Sequence, residues 1–208
     1  MAHDVLAYPP AGFRSAETRQ QLGSGADRFE QSVDGLLSWR MIDAAGFNLE
    51  QVEKASHGGY RGLGSTDISV NDTGEVEFSN DGRGYITAGD VVTIRRRGGA
   101  PLGDRHFRVV AVNRDPGAVS VAFGTVDAEP FVGEFLIGVY HLEDDTVWSR
   151  VVQVVSPGST RLARVVFPLV RAGLRIVRGR LARGLNPARV AHALELAANA
   201  EEEEEKEG

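Results

Sequence analysis

Cysteine is absent from all 208 residues. That absence excludes a disulfide framework, thiolate metal sites and thiol catalysis together, so stability has to come from packing. Long apolar runs are missing as well. No stretch approaches the roughly 18 residues of a membrane span, and the N-terminus lacks a basic segment followed by an apolar one. A cytoplasmic location is the expectation, which makes the sequon at Asn71, Asp72 and Thr73 incidental. The histidines, His3, His57, His106, His141 and His192, are scattered without ligand spacing, so no metal site is indicated. Ser149 and Ser156 have no nucleophile elbow around them, and nothing points to a cofactor.

Acidic residues are missing from one region in particular. Between Gly158 and Leu194 there is no Asp or Glu, yet Arg161, Arg164, Arg171, Arg175, Arg178, Arg180, Arg183 and Arg189 all occur there. Glu201 to Glu205 follow almost at once, so the net charge of −6 conceals the asymmetry. Such arginines can meet nucleic-acid phosphates, an anionic membrane or plain water, and a solvated face is the commonest case. Phe167 is the only Phe, Trp or Tyr from 158 to 194, which leaves bases little to stack on and the nucleic-acid signal weak.

What remains is the composition of a globular chain, with 42% apolar and 25% charged residues and a length that suits one domain. Ser24 and Asp27 have capping-box spacing, and Phe29, Val33, Leu36 and Leu37 recur at helical intervals, which predicts an amphipathic helix to about Met41. Residues 57–89 are glycine-rich and polar. Within them Ile68, Val70, Val76 and Phe78 alternate around Asn71 to Gly74, as in a hairpin. The run from Gly58 to Gly64 has no strand before it and no helix after it, so it reads as a loop rather than a phosphate cradle.

From 90 to 157 the pattern becomes regular, with strands predicted at 91–96, 107–113, 119–126, 132–142 and 146–155. The turn sequences Asp115-Pro116-Gly117 and Glu143-Asp144-Asp145 make the connections short, which implies an antiparallel meander. Ser159 or Thr160 can then cap a long helix whose apolar stripe is Leu162, Val165, Val166, Leu169, Val170, Leu174, Val177 and Leu181. Pro168 should bend that helix, Gly184 should stop it, and a short second helix should start at Pro187.

Phe123-Gly124-Thr125-Val126, Pro130, Gly133-Glu134, Val147-Trp148, Ser156-Pro157, Leu162-Ala163-Arg164 and Pro168-Leu169 carry a resemblance in order and spacing. Weaker echoes are Tyr8-Pro9 with Gly12 and Arg14, and Leu22-Gly23 with Gly25, Phe29 and Trp39. Through these residues the chain resembles the uncharacterised DUF1990 (UPF0548) family. It departs from that pattern at Glu129-Pro130-Phe131, where the family tends to have His-Pro-Glu, and at Phe135, where a second acid tends to follow Glu134.

The resemblance implies an α+β helix-grip (Bet v 1-like) fold, an antiparallel sheet wrapped around a long C-terminal helix with a largely apolar cavity between them. It covers one domain over 1–184, in which about 47–89 looks like an unusual glycine-rich insertion, while the residues themselves give a short accessory helix at 185–200 and an acidic disordered tail at 201–208. The expected partner is a small hydrophobic or amphipathic molecule. Candidate ligand contacts are Arg108, Phe123, Trp148, Leu162, Val166 and Leu169. An enzyme alternative uses Glu134 as acid or base with help from Tyr140, because apolar enclosure would raise a carboxyl pKa into a useful range. A third reading is an interaction protein, with the Glu201 to Glu205 tail and the arginine face as its working surfaces. Alternation along the strand predicts Gly133, Phe135, Ile137, Val139 and His141 as the core set of residues 132–142, which turns Glu134 and Tyr140 outward.

Overall fold

Alternating β-branched and aromatic residues pair along the chain in the computed structural model, which describes residues 12–55, 84–96 and 104–195. The elements are β1 (Arg14–Ser24), α1 (Ala26–Leu37), α2 (Arg40–Ala44), β2 (Phe47–Glu53), β3 (Val91–Arg96), β4 (Arg105–Asp115), β5 (Ala118–Thr125), β6 (Phe131–His141), β7 (Thr146–Pro157) and α3 (Arg161–Gly184). A further helical segment runs from 187 to 195. One seven-stranded sheet has the order β1-β7-β6-β5-β4-β3-β2, and every pairing is antiparallel. No helix among the described residues is long and apolar enough to cross a membrane. The glycine run at 58–64, the hairpin expected at 68–78 and the acidic tail lie outside the described residues.

The meander and the long helix form where the sequence predicts them. The first third of the chain differs. Residues 14–24, for which the sequence predicts no element, form β1, whose sheet partner β7 lies more than a hundred residues away. Ser24 therefore ends a strand instead of capping a helix. Gly25 holds the N-cap position at φ 93°, a left-handed backbone that favours glycine, and no side chain caps the helix. The predicted single helix to Met41 is broken at Trp39, which takes φ 68° between α1 and α2 and is almost fully buried against Phe123, with ring centroids 6.0 Å apart. The stretch from 47, expected to open an insertion, starts with β2 in register with β3.

Side-chain alternation gives the sheet two unlike faces. On β6, Phe131, Phe135, Ile137 and Val139 enter one continuous buried cluster with Val121, Phe123, Val151 and Val155 of neighbouring strands and Phe167, Val170 and Leu174 of α3. The alternate residue Leu136 joins Ala122 and Val152 in a small separate cluster on the opposite face. α1 and α2 close one end of the groove and add Leu36, Leu37 and Met41 to the main cluster.

α3 meets the sheet with one edge of the stripe its sequence suggests, where Val170, Leu174 and Leu181 are buried and Val166 and Val177 partly so. Ala163, Phe167, Val170, Leu174, Arg178 and Leu181 are buried, whereas Leu162, Val165 and Leu169 of the predicted stripe are exposed. Apolar residues cover a broad arc of this helix, and its anchors choose which edge of that arc lies inside. At the N-terminus Thr160 Oγ1 accepts from Ala163 N at 3.1 Å. The Glu129 carboxylate in turn accepts from Thr160 N at 2.9 Å, Ser159 Oγ at 2.9 Å and Thr160 Oγ1 at 3.1 Å. Near the other end Ser149 Oγ, fully buried on β7, donates to the Ala182 carbonyl at 2.8 Å. Fixed at both ends, the helix has little freedom to rotate about its axis.

The anchor at Glu129 makes a pH prediction. Hydrogen bonds to its charged form, from the Thr160 backbone N–H first, hold its carboxyl below the ordinary glutamate value of 4.5. A depressed folded-state pKa contributes stability that is present above the unfolded value and is lost as pH falls through the folded one. Glu129→Gln should therefore lower the urea midpoint at neutral pH. The difference between variant and wild type should then shrink below the ordinary glutamate value. A difference independent of pH would show that the carboxylate charge plays no part.

Candidate functional site

The groove side of β1, together with Gln153 of β7, is polar where the rest of the groove is apolar. Directly opposite residues of an antiparallel pair share a face, and Arg14 is paired with Val155, Ala16 with Gln153 and Thr18 with Val151. Val151 and Val155 belong to the core cluster beneath α3, so Arg14, Ala16, Thr18 and Gln153 face α3 too. Over this polar strip α3 carries Arg171 and Arg175 on its flank and Arg178 on its buried face. Between them opens a cleft of about 310 Å³, lined by Arg14, Ser15, Ala16, Gln153, Pro168, Arg171, Ala172, Arg175 and Arg178.

Arg178 is the unusual member. It retains only 8% of its surface and sits four residues after Leu174 and three before Leu181, in the buried row of the helix. Its Nη1 donates to Gln153 Oε1 at 3.0 Å, and Nε lies 3.4 Å from Thr18 Oγ1. Gln153 is itself almost fully buried. Both partners are neutral, and Arg178 forms no ion pair with an acid among the described residues. Burial pulls its pKa down from the ordinary arginine value, and the positive charges of Arg175 and Arg171 pull the same way. The cleft thus gathers four guanidinium groups with no carboxylate among its lining residues, a preformed field for an anion. Ala16, Pro168 and Ala172 supply an apolar wall beside it.

The residues singled out from sequence divide among three surfaces. Phe123 and Val166 belong to the packed region between sheet and helix, Phe123 buried and Val166 partly so. Glu134 and Tyr140 alternate with the buried set of β6 and lie on the sheet face turned away from α3, Glu134 beside Gly124 and Val154, Tyr140 beside Ala118 and Trp148. Trp148 lies on that far face as well, its Nε1 donating to Thr146 Oγ1 at 2.9 Å. Arg108 is exposed opposite Gly124. Leu162 and Leu169 are on the solvent side of α3. None of these eight residues lines the arginine cleft.

Sequence reasoning missed Arg14, Gln153 and Arg178 as a group. For Arg178 a signal existed, because its spacing from Leu174 and Leu181 matches the buried row. For Arg14 none did, since its place depends on pairing with β7. Glu129 was noted only as a departure from the family pattern. In the structure it is the acceptor that anchors α3.

Comparisons with known proteins agree with the fold. No curated protein matches the chain. Among solved structures, a hypothetical protein from Helicobacter pylori is similar with a TM-score of 0.55 and 10% identity, over 91% of this chain and 98% of that one. A point mutant of norcoclaurine synthase from Thalictrum flavum, in complex with a transition state analogue, is similar with a TM-score of 0.51 and 12% identity, over 86% of this chain and 96% of that one. At such identities the likeness is one of fold, the helix-grip (Bet v 1-like) arrangement of sheet and C-terminal helix. The family model DUF1990, a domain of unknown function, matches residues 2–71 and 69–184. On that match the chain belongs to the DUF1990 family.

Proposed function

We propose that the protein is a binding module for a small amphipathic molecule with an anionic group, held between α3 and the β1–β7 side of the sheet. Arg14, Arg171, Arg175 and Arg178 contact the anion, and Ala16, Pro168 and Ala172 contact its apolar part. The observation that carries this reading is Arg178, a buried guanidinium whose partners among the described residues are neutral. Burying a cation without a counter-charge is costly, and like charges beside it add to the cost. A carboxylate or phosphate entering the cleft relieves both, through charge-assisted and bidentate hydrogen bonds. Norcoclaurine synthase, with a similar fold, was solved with a transition state analogue bound, so a fold of this kind accommodates a small molecule. Glu134 and Tyr140 lie across the sheet from the cleft, which supports binding over acid–base chemistry at those two residues.

Thermal shift and native mass spectrometry with octyl phosphate, octanoate and octanol test the reading. Both anions should raise the unfolding midpoint and be retained, while octanol should do neither. At roughly a hundredfold excess over Kd the stabilisation should approach about 2.7 kcal/mol. Equal responses to octanol and octyl phosphate would remove the anion from the proposal, and no response to either anion would remove the site.

A further inference from the structure

The outward side of α3 carries a second apolar row. Leu162 is 70% exposed, Val165 76%, Leu169 76% and Ile176 59%. With about 100° of rotation per residue, these positions fall on the side turned away from the buried row of Phe167, Val170 and Leu174, and they extend over about 21 Å of helix. Single exposed apolar side chains need no explanation, but an aligned row of four is a surface with a use. Its surroundings are of one sign. Arg161 and Arg183 are exposed at its ends, Arg180 lies close to its line, and the segment from Gly158 to Leu194 contains no acid.

We propose that this face docks on an anionic phospholipid bilayer, with Leu162, Val165, Leu169 and Ile176 seated at the boundary between headgroups and acyl chains. The flanking arginines are long enough to lay their stems along the apolar row and extend their guanidinium groups to lipid phosphates. Charge complementarity selects this occupant. A second copy docked through the same face would set the arginines of both copies against each other, with no acid on either face to pair them. The row is aliphatic, without the aromatic anchors that dominate protein hot spots, whereas insertion at a lipid interface needs only apolar area and nearby positive charge. This inference goes beyond the cleft and stands on different side chains.

Co-sedimentation of the full chain with vesicles tests it, using phosphatidylcholine alone and phosphatidylcholine mixed with phosphatidylglycerol. Wild-type protein should bind the mixed vesicles, bind the neutral ones at least about tenfold more weakly, and release as salt is raised. The triple variant Leu162→Ser, Val165→Ser, Leu169→Ser should bind the mixed vesicles at least about tenfold more weakly than wild type. Because these side chains are exposed, its circular dichroism and thermal midpoint should match wild type. The single variant Leu169→Glu provides the same comparison with less change to the helix. Three results overturn the inference: no wild-type binding to the mixed vesicles, unchanged binding by both variants, or a concentration-dependent dimer that the variants dissolve while vesicle binding is absent.

Discussion

The double variant Arg178→Met, Gln153→Leu should be more stable than the wild-type protein and deaf to octyl phosphate. Arg178 is 8% exposed and bonded through Nη1 to Gln153, which is 2% exposed. Removing the arginine alone would strand the Gln153 oxygen in the interior, a loss of about 1–3 kcal/mol. Removing both partners together leaves no fully buried orphan, since Thr18, the other neighbour of the guanidinium, is half-buried and can turn to water, and methionine can follow much of the arginine stem. The variant also loses the repulsion from Arg171 and Arg175. Exchange of buried charged groups for apolar ones of similar volume is often neutral or stabilising by about 1–4 kcal/mol, and the upper part of that range is expected where the charge has no acidic partner. Urea unfolding measures the gain, and thermal shift with octyl phosphate measures the loss of response. A variant that is less stable would mean that the guanidinium supports the fold. One that still responds to octyl phosphate would mean that the anion binds elsewhere.

The second large effect is a loss of stability, at Asp90→Ala. Asp90 lies between the turn at 88–89 and β3 and is fully buried. Its carboxylate accepts from Ala55 N at 3.0 Å, Thr87 N at 3.0 Å and Lys54 Nζ at 2.9 Å. It thereby ties the residues leaving β2 to those entering β3, across the base of the long connection between the strands. Its own carbonyl accepts from Val109 N at 2.8 Å, which joins the same knot to β4. Alanine would leave two backbone donors without their acceptor and remove the ion pair of Lys54, whose Nζ keeps the Tyr85 carbonyl, and a loss of about 3–5 kcal/mol is expected in urea unfolding. Asp90→Asn retains an acceptor and should lose less. Hydrogen exchange adds a local readout, because the amides of residues 55 and 87 should lose protection before those of β6 and β7. A loss below about 1 kcal/mol, the net worth of one ordinary hydrogen bond, would show that the clamp is not holding the connection.

The sequence by itself determined the meander, the long helix and the family. β3 to β7 are legible because their apolar residues alternate, and short turn sequences between β4 and β7 make neighbours in sequence neighbours in the sheet. α3 is legible because Thr160 caps it, Gly184 ends it and apolar residues recur at helical spacing between them. β1 is not legible, because Arg14 to Gln21 is mostly polar and becomes a strand through hydrogen bonds to β7, which exists only once the meander has formed.

Tertiary structure decided which side of α3 is inside. The helix is apolar over one broad arc, so periodicity alone does not fix which edge of it is buried, and the choice rests on bonds made to distant residues, Glu129 at one end and Ser149 at the other. That choice turned Leu162 and Leu169 from expected ligand contacts into solvent-facing side chains. It also took Arg178 from an expected solvated row into the interior. The same long-range pairing carries Arg14 and Gln153 to α3, so the cleft is assembled from β1, β7 and the helix. Sequence spacing records neighbours along one element, and a site built across three elements has no such spacing to read.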